Sequence, residues 1–139
     1  MKQIDLEELV TQALAARARA YAPYSGYSVG CALWADGAIH AGANMENASY
    51  GLAVCAERGA VSRAVFAGAR LVEAVAVATS SSPPAAPCGM CLQTLNEFAG
   101  DPSAMRVILV NDSGERRELT LADLLPHGFR GDELPRREE

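Results

Sequence analysis

The sequence predicts an α/β fold, one domain over residues 1–139 in which a mixed five-stranded sheet carries helices on its faces. Three observations predict it. Segments with helical spacing of apolar residues alternate with short strand-like ones, in the order helix, hairpin, helix, strand, helix, strand, strand, short helix. The run L-V-E-A-V-A-V-A-T at 71–79 is broken only by Glu73, as a strand covered on both faces requires. Finally, 139 residues, half of them hydrophobic and 21% charged, suffice for one core, with no linker or internal repeat.

Asp5 opens the first helix. Leu6, Leu9, Val10, Ala13 and Leu14 recur at helical spacing, and Glu8 follows Asp5 in a capping-box arrangement, predicting a helix to about Ala20. Pro23 and Gly26 break the pattern, so 21–28 reads as an aromatic-bearing loop. Asp36-Gly37 favours the positive φ of a tight turn and joins strands at 29–35 and 38–43. From Cys55 to about Phe66, small and apolar residues return every three or four positions, giving an alanine-rich helix able to pack closely on a sheet. After the strand at 71–79 and a Ser/Pro/Ala loop at 80–87, Leu92, Leu95 and Phe98 mark a third helix from Gly89. Strands follow at 105–111 and 116–120. Thr120 caps a short helix ending before Pro126, and the charge-rich tail from about 131 is expected to fray.

Composition excludes several functions. With 12 Lys+Arg against 17 Asp+Glu the net charge is -5, and Lys2 is the only lysine, so the basic stripe of a duplex-coating protein is missing. Asp5, Glu7 and Glu8 stand where a secretory leader would need an apolar core, and no window reaches the apolar length of a membrane span. The expectation is a soluble, cytoplasmic protein with no nucleic-acid or membrane partner. Four cysteines in a chain of this size point to metal binding or chemistry rather than to a disulfide scaffold.

Cys88 and Cys91, in P-C-G-M-C, place two thiols on one face at the start of a helix, and Cys55 stands at the start of another. A strand crossover between them brings the two helix starts together, so that three thiolates can share one Zn2+ ion. Structural zinc sites close with four protein ligands, whereas catalytic ones keep three and leave a place for water. Cys31 could complete a closed four-cysteine site, although its alternation with Val29 and Leu33 reads as a core position. His40 and His127 lack metal-ligand spacing. Glu57, two residues after Cys55, is placed to carry a proton for that water. Three thiolates leave zinc with a net charge of about -1, so positive compensation is needed. The two helix N-termini supply some, and Arg58 either supplies more or is an ordinary surface arginine.

C-A-E-R at 55–58 with P-C-G-M-C at 87–91 resembles the zinc deaminase signature in its three-cysteine form. Y-A-P-Y-S at 21–25, N-M-E-N-A-S-Y at 44–50, C-G-M-C-L-Q at 88–93 and L-L-P-H-G-F at 124–129 extend the resemblance, in order, through nearly the whole chain. Together they resemble the short, homotetrameric cytidine deaminases. The resemblance implies a three-layer α/β/α sandwich and a homotetramer. It implies Cys55, Cys88 and Cys91 as zinc ligands, Glu57 as proton shuttle, and Asn44 and Glu46 as ribose-binding residues. It further implies Ala56 and Tyr27 as substrate contacts, with Phe129 reaching the base from a neighbouring subunit. Tyr27 stands where the family usually has Phe, and Leu92 where it often has Arg. The implied reaction is hydrolytic deamination of cytidine and 2′-deoxycytidine to the uracil nucleosides and ammonia, in pyrimidine salvage. Deamination of a cytosine-containing antibiotic or of a nucleic-acid base is an alternative, as is a non-catalytic, zinc-stabilised binding module with Cys31 as fourth ligand.

Overall fold

A computed structural model describes residues 3–135. Helix α1 (Leu6–Arg17) starts at Asp5, whose carboxylate accepts the Glu8 N–H at 3.1 Å. Only half of the expected capping box forms, because the Glu8 carboxylate takes a hydrogen bond from Gln12 instead. The helix also stops short of Ala20. Ala18, Arg19 and Ala20 donate to carbonyls three residues back, which tightens the last turn, and Tyr21 N–H is then drawn to the Asn44 carbonyl at 2.9 Å.

Strands β1 (Gly30–Ala35) and β2 (Ala38–Ala43) form the predicted hairpin, with Asp36 at φ 48° and Gly37 at φ 82° as a type I′ turn demands. With β3 (Val72–Thr79), β4 (Arg106–Asn111) and β5 (Arg116–Thr120) they build one sheet in the order β2-β1-β3-β4-β5. β3 and β4 run parallel and every other neighbouring pair is antiparallel, so the sheet is mixed. Helices α2 (Ala56–Phe66), α3 (Gly89–Glu97) and α4 (Leu121–Leu124) complete the fold, and α4 is closed by a Thr120–Asp123 capping box. Gly131–Glu133 makes one exposed 3-10 turn; residues 136–139, where much of the expected fraying falls, lie outside the described residues.

The layers follow from alternation along the strands. Ala74, Ala76 and Ala78 of β3 face α1, where Leu9, Val10 and Ala13 cover them together with Ala32, Trp34, Ile108 and Val110. Val75 and Val77 point the other way, into a core shared with Ala56, Ala60, Val61, Ala64, Leu92 and Leu95 from α2 and α3. The result is a three-layer α/β/α sandwich. Gly42 brings α2 close to the sheet: a Cβ there would lie 2.6 Å from Ala60 N and 2.8 Å from the Ala56 carbonyl oxygen. Because α2 lies against β2 at that distance, its N-terminus is held over the end of the sheet where α3 also begins.

Candidate active site

Cys55 is the N-cap of α2 and Cys88 the N-cap of α3, and Cys91 lies one turn into α3. N-cap positions usually carry Ser, Thr, Asp or Asn, whose side chains accept from the first-turn amides. Neither cysteine meets the geometry of such a cap bond, although the first-turn amides of α3 still face the Cys88 sulfur. The Cys55, Cys88 and Cys91 sulfurs all lie within 4.8 Å of one another, and the Cys88 and Cys91 sulfurs are 3.5 Å apart. Tetrahedral zinc–thiolate coordination would put sulfurs roughly 3.8 Å apart. Sulfur is also the donor that zinc favours, so the residues present fit the ion.

The surroundings support the same assignment. Burial raises the Cys88 thiol pKa, but the Cys91 and Met90 N–H groups, with the neighbouring thiols, outweigh it and pull the net value down. Cys91 moves the opposite way, raised by its burial and by the charge of Glu57. Arg58 donates through Nη2 to the Ala53 carbonyl at 3.0 Å, while among the described residues its buried Nε–H has no hydrogen-bond partner. The Cys55 thiol is the strongest influence raising the Arg58 pKa. An unpaired guanidinium donor beside sulfur is a ready neutraliser for a three-thiolate cluster.

Cys31 does not join the cluster among the described residues. It is fully buried in the middle strand of the hairpin side of the sheet, opposite Val77 and Gly42, and burial raises its thiol pKa. His40 is in β2 opposite Leu33, and His127 lines a separate cavity behind α3 and α4. A closed four-cysteine site is therefore not built here.

Glu57, in the first turn of α2, is only 4% exposed. Burial raises its pKa, opposed by the Cys91 side chain, by its own backbone N–H and by the Arg58 charge. A buried carboxyl with a raised pKa holds a proton more readily than one in water, which suits a group that must both take and give one. It stands with Cys55, Ala56 and Cys88 in a cleft of about 320 Å³ whose other walls include Tyr27, Asn44, Glu46, Val77, Thr79 and Pro87. That volume suits a small molecule.

The far wall is organised by hydrogen bonds from the loop at 21–28. The Asn44 amide oxygen accepts Val29 N–H at 2.8 Å and its nitrogen donates to the Tyr27 carbonyl at 2.9 Å. Glu46 accepts from the N–H groups of Tyr24 and Ser25 at 2.9 and 3.1 Å, and from the Ser25 hydroxyl. That hydroxyl is the main reason its pKa lies below the ordinary carboxylate value. Ser25 was not singled out from the sequence, although Y-A-P-Y-S contains it. Phe129 does not line this cleft. Its backbone is clamped to α3 by Gln93 and Asn96, at 2.7 and 2.9 Å on the carbonyl, while the side chain is half exposed. Leu92 packs in the core between α3 and the sheet.

A mixed sheet with helices on both faces, a thiol triad at two helix N-termini and a buried carboxyl beside it form the arrangement expected of the zinc deaminase class. Residues 3–108 match the sequence profile of the cytidine and deoxycytidylate deaminase zinc-binding region. The chain is 42% identical over 132 residues to the cytidine deaminase of Halalkalibacterium halodurans, spanning 94% of this chain and 98% of that protein. Among solved structures, cytidine deaminase from Burkholderia pseudomallei superposes with a TM-score of 0.84 at 45% identity, covering 91% of this chain and 100% of that one. The Mycobacterium tuberculosis enzyme gives 0.78 at 36%, covering 91% and 98%. This chain belongs to the cytidine and deoxycytidylate deaminase family.

Proposed function

We propose that this chain catalyses the zinc-dependent hydrolysis of cytidine and 2′-deoxycytidine to uridine and 2′-deoxyuridine, with release of ammonia. The observation that carries the reading is Glu57, a buried carboxyl beside three convergent thiols at the base of a cleft sized for a small molecule. Cys55, Cys88 and Cys91 would hold the ion, and Arg58 would offset the excess negative charge. When bound, zinc supplies the Lewis acidity that lets a water molecule lose a proton near neutral pH. Glu57 accepts that proton on its carboxylate and delivers it to N3 of the pyrimidine, which makes C4 electrophilic. With the water oxygen bonded to C4, the same carboxyl takes the remaining proton from that oxygen and passes it to the amino group, so that the C4–N bond breaks, ammonia leaves and Glu57 ends as it began. Water and cytidine are consumed in equal number, and uridine and ammonia are formed.

Asn44 and Glu46 are assigned to the ribose hydroxyls, Ala56 and Tyr27 to the walls around the nucleoside. Phe129, clamped by its backbone with its ring outward, is assigned to the cleft of a neighbouring copy in a homotetramer of D₂ symmetry. The net charge of -5 supports a free nucleoside over a polynucleotide, and a cytoplasmic role in pyrimidine salvage accords with it. Among the described residues no helix is long and apolar enough to cross a membrane.

Ammonia release from cytidine, followed before and after chelation and again after zinc is restored, tests the proposal. Activity is expected to vanish and return; a zinc-loaded protein that releases no ammonia would overturn it. Rates on deoxycytidine and on a cytosine-containing antibiotic, measured alongside, rank the substrates.

A further inference from the structure

We infer that Ser81 is a positioning residue for Tyr27, and that the hydrogen bond between their hydroxyls sets how tightly the cleft holds its nucleoside. The inference rests on the nucleoside reading of the cleft given above.

Tyr27 lines the cleft, and its backbone is fixed on both sides: its N–H donates to the Ser25 hydroxyl at 3.0 Å and its carbonyl accepts from the Asn44 amide at 2.9 Å. Those bonds hold the main chain but leave the two side-chain torsions free. Among the described residues, the phenol hydrogen-bonds to Ser81 alone, at 2.6 Å between oxygens. Ser81 does not line the cleft and acts through the ring.

Ser81 is in turn fastened to the sheet rather than to a loop. Its N–H donates to the Thr79 hydroxyl at 3.2 Å, and its carbonyl accepts from the Asn111 amide at 2.9 Å. Thr79 and Asn111 are buried and face each other at the ends of the parallel strands β3 and β4. The phenol is thus referenced to the rigid centre of the fold, although its own loop lies at the surface. A ring held in place before substrate arrives spares the entropy of ordering it on binding. Among the described residues Tyr27 makes no hydrogen bond to Glu57 or the three cysteines, so the effect belongs to binding and not to proton transfer.

The test is a double-mutant cycle on the zinc-loaded protein with cytidine. Tyr27→Phe and Ser81→Ala are each expected to raise KM about three- to tenfold, the range of one net hydrogen bond, with kcat changed less than about twofold. The double variant is expected to be no worse than either single one, since both remove the same bond. Ser81→Thr keeps a hydroxyl and is expected to restore KM. Additive effects, an unchanged KM in Ser81→Ala, or a loss falling on kcat would each overturn the inference. Two readouts stand apart from turnover. With an isotope label at tyrosine Cζ, the resonance lost in Tyr27→Phe should shift in Ser81→Ala, and an unmoved signal refutes the bond. Calorimetric binding of uridine should weaken by the same three- to tenfold factor in Ser81→Ala. If the wild-type protein released no ammonia from cytidine, the proposed activity would fail, and uridine binding would still decide the role of Ser81.

Discussion

Replacing Glu57 by glutamine separates the chemistry of this site from its construction. Glutamine has the same shape, so the buried pocket around position 57, only 4% exposed, is neither emptied nor overfilled. The lost charge at the first turn of α2 removes roughly 0.3–1 kcal/mol of favourable helix-dipole interaction. Burial already disfavours that charge, as the raised Glu57 pKa shows, so the two effects oppose each other and folding stability should change little. Position 57 is outside the three-sulfur cluster, so zinc content is expected to stay at the wild-type level. The rate is where the loss should fall. A positioned proton carrier contributes about 10²–10⁴-fold, or roughly 3–5 kcal/mol of barrier, and a group serving two transfers belongs at the upper end. Ammonia release, elemental zinc analysis and thermal unfolding on one preparation read all three quantities. A fully zinc-loaded Glu57→Gln protein within tenfold of the wild-type rate would refute the shuttle role, and coupled loss of zinc would refute its separation from the metal site.

The other cysteines and the tight helix contact offer further checks. Cys88→Ala is expected to lose zinc and activity together, whereas Cys31→Ala should keep both and cost about 1 kcal/mol of core packing; zinc analysis distinguishes them, and zinc loss in Cys31→Ala would revive a four-cysteine site. Gly42→Ala pushes a methyl group into backbone atoms of α2, which is expected to cost about 1–3 kcal/mol and lower Tm by roughly 3–12 °C. The same displacement moves Cys55 and should weaken zinc retention against a competing chelator; an unchanged Tm would show that α2 is not held by this contact.

Much of the fold was legible because its signals are local. Asp36-Gly37 specified the hairpin turn, β2 and β5 have the bounds expected, and Thr120 caps α4 as its sequence implies. Other boundaries moved because tertiary partners intervened. α1 ends at Arg17, where the guanidinium Nε–H meets the Ser28 carbonyl at 2.9 Å and the following residues turn toward Asn44. Glu8 left its capping role for Gln12. In the site, Cys88 and Cys91 announce themselves by spacing, but Ser25 and Ser81 carry no sequence signal of their own. Their importance arises from the residues they meet, Glu46 and Tyr27, each distant in the chain.

What the amino-acid order determined alone was the set of elements and the chemical kit: helical and strand periodicities, a turn with positive φ, two thiols one helical turn apart, and a carboxylate two residues from a third thiol. Local propensity and short-range geometry need no partner, so they can be read in one dimension. Tertiary structure decided which thiols meet. A parallel β3–β4 pair forces a crossover through α3, and close packing of α2 on β2 at Gly42 brings its N-terminus to the same end of the sheet. That convergence admits Cys55 and leaves Cys31 in the core, because the pleat turns the Cys31 side chain into the apolar layer under the helices.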